Sequence, residues 1–518
     1  MLIKTYAGAV QGVDAQIITA EVNVGGKVAT DKNFYHLVGL PDNAVREGFS
    51  RIEAAIQNIG FKMMRIKTVV NLAPADIRKE GSAYDLPIAM GVLAASEQID
   101  GSRFDEYIMM GELSLDGSLR PIRGALPIAI QARKEGYKGF ILPRENAREA
   151  AIVNDLDVYG VSSLREAVDF VNGDLKVDPK MVLTREEFFE QQNVFEVDFS
   201  DVKGQQNIKR ALEIAAAGGH NVILIGPPGA GKTMLARRMP TILPPLNLHE
   251  ALETTKIHSV AGILPPDSAL VANRPFRSPH HTISDVALVG GGSNPMPCEI
   301  SLAHHGVLFL DELPEFKRTV LEVLRQPMEE RRVTISRART TVDYPANFML
   351  VASMNPCPCG YYNHPDKECV CGAAQINRYL NKISGPLLDR IDLHVEVTPV
   401  SYDELASKSM PSESSAEIVK RVIRAREIQV ERYRDHPGIN ANAQMTGRLV
   451  REYCEVDQAG RMLVKKAMEK LQLSARAYDR ILKVARTAAD LHESEKIEIE
   501  HLAEAIHFRS LDREGWAG

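Results

Sequence analysis

Asn221-Val-Ile-Leu-Ile225 is an apolar run, Gly226-Pro-Pro-Gly-Ala-Gly231-Lys232-Thr233 a glycine-rich turn, and Met234-Leu-Ala-Arg-Arg238 a helix-forming segment. The middle eight residues, Gly226, Pro227, Pro228, Gly229, Ala230, Gly231, Lys232 and Thr233, fit the phosphate-loop pattern. A strand before and a helix after are the context that pattern requires. Such glycines let backbone N–H groups close around a β-phosphate at a helix N-terminus. Lys232 then reaches the β/γ oxygens, and the Thr233 hydroxyl suits Mg²⁺. The expected ligand is ATP with Mg²⁺.

Further apolar runs lie downstream: Val307-Leu-Phe-Leu310, Phe348-Met-Leu-Val-Ala352 and Leu393-His-Val-Glu-Val397. Near-continuous apolar strands are covered on both faces, which predicts a parallel sheet and an α/β core. The first of them ends in Asp311-Glu312. Beside a phosphate loop, Asp311 is expected to hold Mg²⁺ through water and Glu312 to polarise the attacking water. The second leads into Ser353-Met354-Asn355, where the Asn355 amide can orient that water or touch the γ-phosphate. Leu387-Leu-Asp-Arg390-Ile-Asp392 sets Arg390 beside a short Leu-rich helix. Offered across a subunit interface, an Arg there stabilises charge on transferring phosphate.

The 518 residues suggest about three domains. Residues 1–175 mix alternating strand-like runs with helical stretches, and the charged segment 176–197 reads as a linker. Residues 198–400 form the α/β core, while 401–518 carry long helical periodicity and no strand-like run, as expected of an all-helical bundle. Hydrophobic residues make up 44% and charged residues 25% of the chain, which excludes disorder throughout. With 62 Lys+Arg against 68 Asp+Glu, any affinity for nucleic acid has to come from local basic surface. No apolar run approaches the roughly 18 residues of a membrane span, and the N-terminus does not read as a signal peptide. Six cysteines are too few for a disulfide scaffold and fit a reducing cytoplasm.

The order of these elements resembles an AAA+ ATPase: Walker A, Walker B at Asp311-Glu312, sensor-1 Asn355, an arginine finger at Arg390, then an Arg in a helical lid. Arg274-Pro-Phe-Arg277-Ser-Pro-His280-His281 and Ser384-Gly-Pro-Leu-Leu-Asp-Arg390 resemble the Mg-chelatase-like branch. Leu37-Val-Gly-Leu-Pro-Asp42 and Leu473-Ser-Ala-Arg476-Ala-Tyr-Asp-Arg480 extend the similarity to the ComM/YifB type over nearly every residue. That resemblance implies that Arg476 is the sensor-2 Arg and that Val202 and Gly204, in Val202-Lys-Gly204-Gln205, lie near the adenine. It also implies a helix-2 insert around Ala287 to Pro297 and a hairpin ahead of sensor 1. The hairpin is expected at Arg332 to Val342, two alternating strands around a Ser336-Arg337-Ala-Arg339 tip. In ring ATPases such hairpins line the channel, so Arg337 and Arg339 are the candidate DNA contacts; an ordinary surface hairpin is the plainer alternative.

Gly111-Glu-Leu-Ser-Leu-Asp-Gly117, Arg120-Pro-Ile-Arg-Gly124 and Gly139-Phe-Ile-Leu-Pro143 resemble the Lon-type peptidase fold. That family uses a Ser/Lys dyad. Aligned from Gly81, Ala83 stands at the nucleophile position and Leu126 at the Lys position, so peptidase chemistry is not expected. Cys357-Pro-Cys359 and Cys369-Val-Cys371 bring four soft ligands into fifteen residues, which suits tetrahedral Zn²⁺; buried thiols or a redox pair are the alternative.

The resemblance to the AAA+ and ComM/YifB-type families implies an ATP-driven homo-hexameric motor of helicase or branch-migration type. Its substrate would be single-stranded or branched DNA, in recombination or natural transformation and alongside recombination proteins. A metal-chelatase-type motor is the first alternative; the Lon-like block speaks against it. Protein remodelling is the second, and there a channel hairpin usually carries an aromatic grip that this tip lacks.

Overall fold

The computed structural model describes residues 1–28, 34–265, 268–291, 295–337, 340–362, 364, 366–400, 412–471 and 473–509. They form two compact units. The first comprises Met1–Gln191, Leu248–Ala272 and Pro295–Pro297, and the second Gln192–Asn247, Asn273–Asn294 and Cys298–Gly518.

The first unit is built on a seven-stranded mixed sheet. Its strands are β1 (Leu2–Gln11), β2 (Asp14–Val28), β3 (Tyr35–Val38), β4 (Ile66–Ala73), β5 (Tyr107–Met109), β6 (Gly139–Pro143) and β7 (Asp157–Val161), in the order β3-β4-β2-β1-β5-β6-β7. β2 runs antiparallel to both β1 and β4, whereas β1, β5, β6 and β7 are mutually parallel. The helix Asp85–Ala95 is buried at every residue; past Asp85 its sequence is wholly apolar, as burial on all sides requires. Leu248–Ala261, which follows the phosphate-loop helix in sequence, folds with this unit. The Ser259 carbonyl accepts the Gly124 amide at 3.1 Å where the helix Ala125–Lys134 begins. Ser82 donates to Glu112, and Leu126 is fully buried. Within the segment read as a linker, Thr184–Gln191 is helical.

The second unit holds a five-stranded, wholly parallel sheet: β8 (Val222–Ile225), β9 (Phe276–Arg277), β10 (Val307–Leu310), β13 (Met349–Met354) and β14 (Leu393–Glu396), in the order β9-β10-β13-β8-β14. Every residue of β8, β10 and β13 is buried, the two-sided covering that their apolar sequences, broken only by Ser353 near the end of β13, call for. The short edge strand β9 carries no such run. Between β10 and β13 lies a two-stranded antiparallel hairpin, β11 (Arg332–Arg337) and β12 (Thr340–Pro345). Arg337 pairs with Thr340 at its end; Arg339 lies outside the described residues, and for Arg337 only the backbone is described. From 412 to 509 the described chain is helical, with Ser415–Arg432, Gln458–Leu471, Ala475–Leu491 and Ile499–His507 as its longest members.

Sheet and helices of this unit share one hydrophobic core, in which Val222 and Leu393 join Val422, Ile481 and Ala485. A buried polar knot crosses the same boundary. Asp392, at the foot of β14, meets Arg480 at 2.9 Å and His220 at 3.3 Å, and accepts the Asn221 amide at 3.1 Å. Burial opposes its charge, but Arg480 and His220 outweigh it, and the carboxyl is held well below the usual range. Asp392→Ala is therefore expected to destabilise this unit by about 3–5 kcal/mol, because it leaves the Arg480 charge uncompensated and the buried His220 ring and Asn221 amide without their acceptor. The contribution is complete above the unfolded-state pKa of about 3.9 and is lost as pH falls further, toward the depressed folded value. Urea unfolding at pH 7 measures it; a midpoint equal to wild type would refute the assignment.

Candidate nucleotide site

The phosphate loop leaves β8 and turns into the helix Lys232–Ile242. Gly229 and Gly231 hold φ of +80° and +86°, conformations that L side chains rarely adopt, so the turn requires glycine at both. Lys232 is nearly buried. Its Nζ donates to the carbonyls of Gly226 at 2.7 Å and Pro227 at 2.9 Å, and to Asn355 Oδ1 at 3.1 Å. Burial lowers its pKa, while Asp311 and Glu312 pull the other way.

Thr233 Oγ1 donates to Asp311 Oδ2 at 2.8 Å. The other Asp311 oxygen accepts the Ser353 hydroxyl and, at 3.1 Å, the Glu312 amide. Asp311 is thereby fixed from three elements: the helix after the loop, the end of β13, and its own turn. Glu312 sits at φ 53° with its side chain 58% exposed, and its carboxylate meets His281 Nδ1 at 3.5 Å. Lys232, Thr233, Asp311 and Asn355 thus converge at the carboxyl ends of the adjacent strands β8, β13 and β10, where ligands of open α/β sheets bind. Hydroxyl and carboxylate oxygens are the donors Mg²⁺ prefers, and the ammonium complements phosphate, so this set fits a magnesium-bound nucleoside triphosphate.

The remaining expected residues are placed differently. Val202 is fully buried in the hydrophobic core, its carbonyl taking Lys209 Nζ at 2.6 Å, and Gly204 holds φ 62°. Their neighbour Gln205, which sequence reasoning did not single out, reaches the loop itself: its Nε2 donates to the carbonyls of Ala230 at 3.1 Å and Thr398 at 3.2 Å. Its Oε1 is buried with no hydrogen-bond partner among the described residues. Ser353 is a second residue missed as a site member, although its position two before Asn355 on a strand places it near the same end. Arg476 is exposed in the first turn of Ala475–Leu491. Arg390 is only 8% exposed; it pairs with Glu329 at 2.7 Å and donates to the Pro386 carbonyl at 2.6 Å.

Cys357, Cys359, Cys369 and Cys371 come together just past Asn355, with their sulfurs all within 4.8 Å of one another. No helix among the described residues is long and apolar enough to cross a membrane.

Three family descriptions match along the chain: subunit ChlI of Mg-chelatase over residues 22–146, magnesium chelatase subunit ChlI over 198–405, and its C-terminal region over 412–509. Competence protein ComM of Haemophilus influenzae is 43% identical over 99% of this chain and 98% of its own length. The uncharacterized protein YifB of Escherichia coli is 43% identical over 98% of this chain and 97% of its own. Lon protease 2 of Bacillus subtilis is 31% identical over a shorter stretch, 29% of each chain. With a phosphate loop, an Asp-Glu strand end and an Asn just past the neighbouring strand of a five-stranded parallel sheet, and with relatives matching end to end, the chain belongs to the ComM/YifB-type, Mg-chelatase-like AAA+ family.

Proposed function

We propose that this chain is an ATPase that works as a ring of six identical subunits and drives movement along single-stranded or branched DNA during recombination in the cytoplasm. One observation carries the ATPase reading: Lys232, Thr233, Asp311 and Asn355 meet at the ends of three neighbouring parallel strands. Lys232 neutralises the β/γ oxygens. Thr233 and Asp311 would hold Mg²⁺, which would supply further charge neutralisation. Glu312 accepts a proton from the attacking water, Asn355 orients that water, and Gln205 Oε1 offers an acceptor to the adenine amino group. Arg390 and Arg476 are the arginines assigned to the transferring phosphate. Zn²⁺ is the metal assigned to the four cysteines.

The DNA reading rests on the hairpin β11–β12 and on the competence role printed in the name of the Haemophilus relative. The guanidinium groups of Arg337 and Arg339 would meet backbone phosphates irrespective of base sequence, as a translocating motor needs. Changing Arg337 and Arg339 together to Ala is expected to leave basal ATPase near wild type and to remove its stimulation by forked, Holliday and single-stranded DNA. The salt slope of binding should fall by about two, one per lost phosphate contact. A double variant that unwinds forked DNA at the wild-type rate would show that the hairpin is not the grip. ATPase that responds to no DNA, but to a tetrapyrrole chelatase partner or to a protein substrate, would move the chain to one of those classes.

A further inference from the structure

The cysteine cluster occupies a loop, between β13 and the helix Ala373–Leu380, that has almost no core of its own. Two fully packed residues, Cys357 and Ile376, anchor it, with the other three cysteines, Tyr362 and Leu380 around them. The sulfur separations are specific: 3.3 Å for Cys357–Cys359, 3.7 Å for Cys357–Cys369 and 3.6 Å for Cys359–Cys369. A disulfide needs about 2.05 Å. Four thiolates at about 2.3 Å from a tetrahedral Zn²⁺ lie about 3.8 Å apart. The three separations therefore resemble the edges of a coordination tetrahedron, and all six cysteines of the chain are free. His364 is committed elsewhere, its Nδ1 accepting the amides of Asp366 at 3.0 Å and Lys367 at 3.1 Å. The donor set is four sulfurs, which selects a soft or borderline cation and disfavours Mg²⁺ and Ca²⁺.

The loop is also built into the nucleotide site. Asn355, which receives Lys232, stands two residues before Cys357. Gly360 follows Cys359 at φ +85°, its amide donating to the Cys357 carbonyl at 3.0 Å. A Cβ on Gly360 would come within 2.5 Å of Pro228 Cδ in the phosphate loop, so loop and phosphate loop are in direct contact. We propose that Cys357, Cys359, Cys369 and Cys371 bind one Zn²⁺, and that the metal-closed loop braces Asn355 and Pro228 in the geometry that binds nucleotide. The brace rests on the ATPase reading; the metal site does not.

Protein purified without added metal should contain one zinc per chain by elemental analysis, released when a mercurial titrates the thiols. Cys369→Ser with Cys371→Ser, the pair farther along the chain from Asn355, should abolish zinc and weaken ATP binding at least tenfold. Lys232→Ala should lose ATP and keep its zinc. Should the serine variant fail to fold, zinc removal from wild type by a chelator, followed by zinc re-addition, reads the same coupling through reversible loss of ATP affinity. Gly360→Ala, which keeps all four ligands, should retain zinc and still bind ATP more weakly. Metal-free wild-type protein with four freely reactive thiols, or a metal other than zinc, overturns the site. Zinc lost with ATP affinity unchanged overturns the brace. Wild type that holds zinc but binds no ATP refutes the ATPase reading and with it the brace, and leaves the metal site standing.

Discussion

Lys232→Ala is expected to lower ATP affinity on the order of 100-fold or more, the scale of removing one partner from a buried, hydrogen-bonded charge pair. The ammonium is held at the mouth of the loop by the Gly226 and Pro227 carbonyls and by Asn355, and its own burial makes its charge costly without a phosphate to meet it. Glu312→Gln should separate from this cleanly. Its side chain is largely exposed and outside the loop, so ATP should still bind. Turnover should fall by about 10²–10⁴-fold, the range for removing a general base. Calorimetric titration with ATP, beside phosphate release under single-turnover conditions, tells the two apart. If Lys232→Ala binds ATP as wild type does, the site is misassigned.

The parts of this site that were readable in the sequence are those whose signals are local. A phosphate loop announces itself within eight residues, and an apolar strand ending in Asp311-Glu312 or leading into Asn355 needs only its own pattern. Gly229 and Gly231 were legible for the same reason, since their positive φ values belong to the turn itself. What escaped depends on which strands become neighbours. Ser353 supports Asp311 only because β13 lies beside β10, with Leu310 opposite Ala352. Gln205 reaches Ala230 across the fold from a left-handed turn that no periodicity marks. The edge strand β9 is two residues long and has no apolar run to betray it. Leu248–Ala261 was hardest of all, because its hydrophobic positions look the same whichever core they join, and here they join that of the first unit. The helical run after residue 411, by contrast, was plain from its 3.6-residue period.

Arg390→Ala is expected to reduce ATP turnover on the order of 10³-fold while leaving ATP affinity near wild type, if the guanidinium acts on the site of a neighbouring subunit. In its own subunit Arg390 is almost wholly buried, with Glu329 and the Pro386 carbonyl as partners and its Nε without one among the described residues. A guanidinium desolvated this far with one donor unspent is costly to keep at rest, and a phosphate across an interface would use that donor. To act there the side chain has to exchange Glu329 for the phosphate, which makes the pair a competitor of the active arrangement. A purely structural Arg390 predicts something else: the variant would melt earlier, and mixing could not restore it. Mixing decides between the two. Arg390→Ala subunits keep an intact Lys232, and Lys232→Ala subunits keep an intact Arg390, so a mixed ring contains complete interfaces that neither parent has. Turnover above the sum of the parents is the expected result. Glu329→Gln, which weakens the resting pair and keeps its shape, should not lower turnover. With assembly verified by light scattering, absence of rescue would assign Arg390 to the fold of its own subunit.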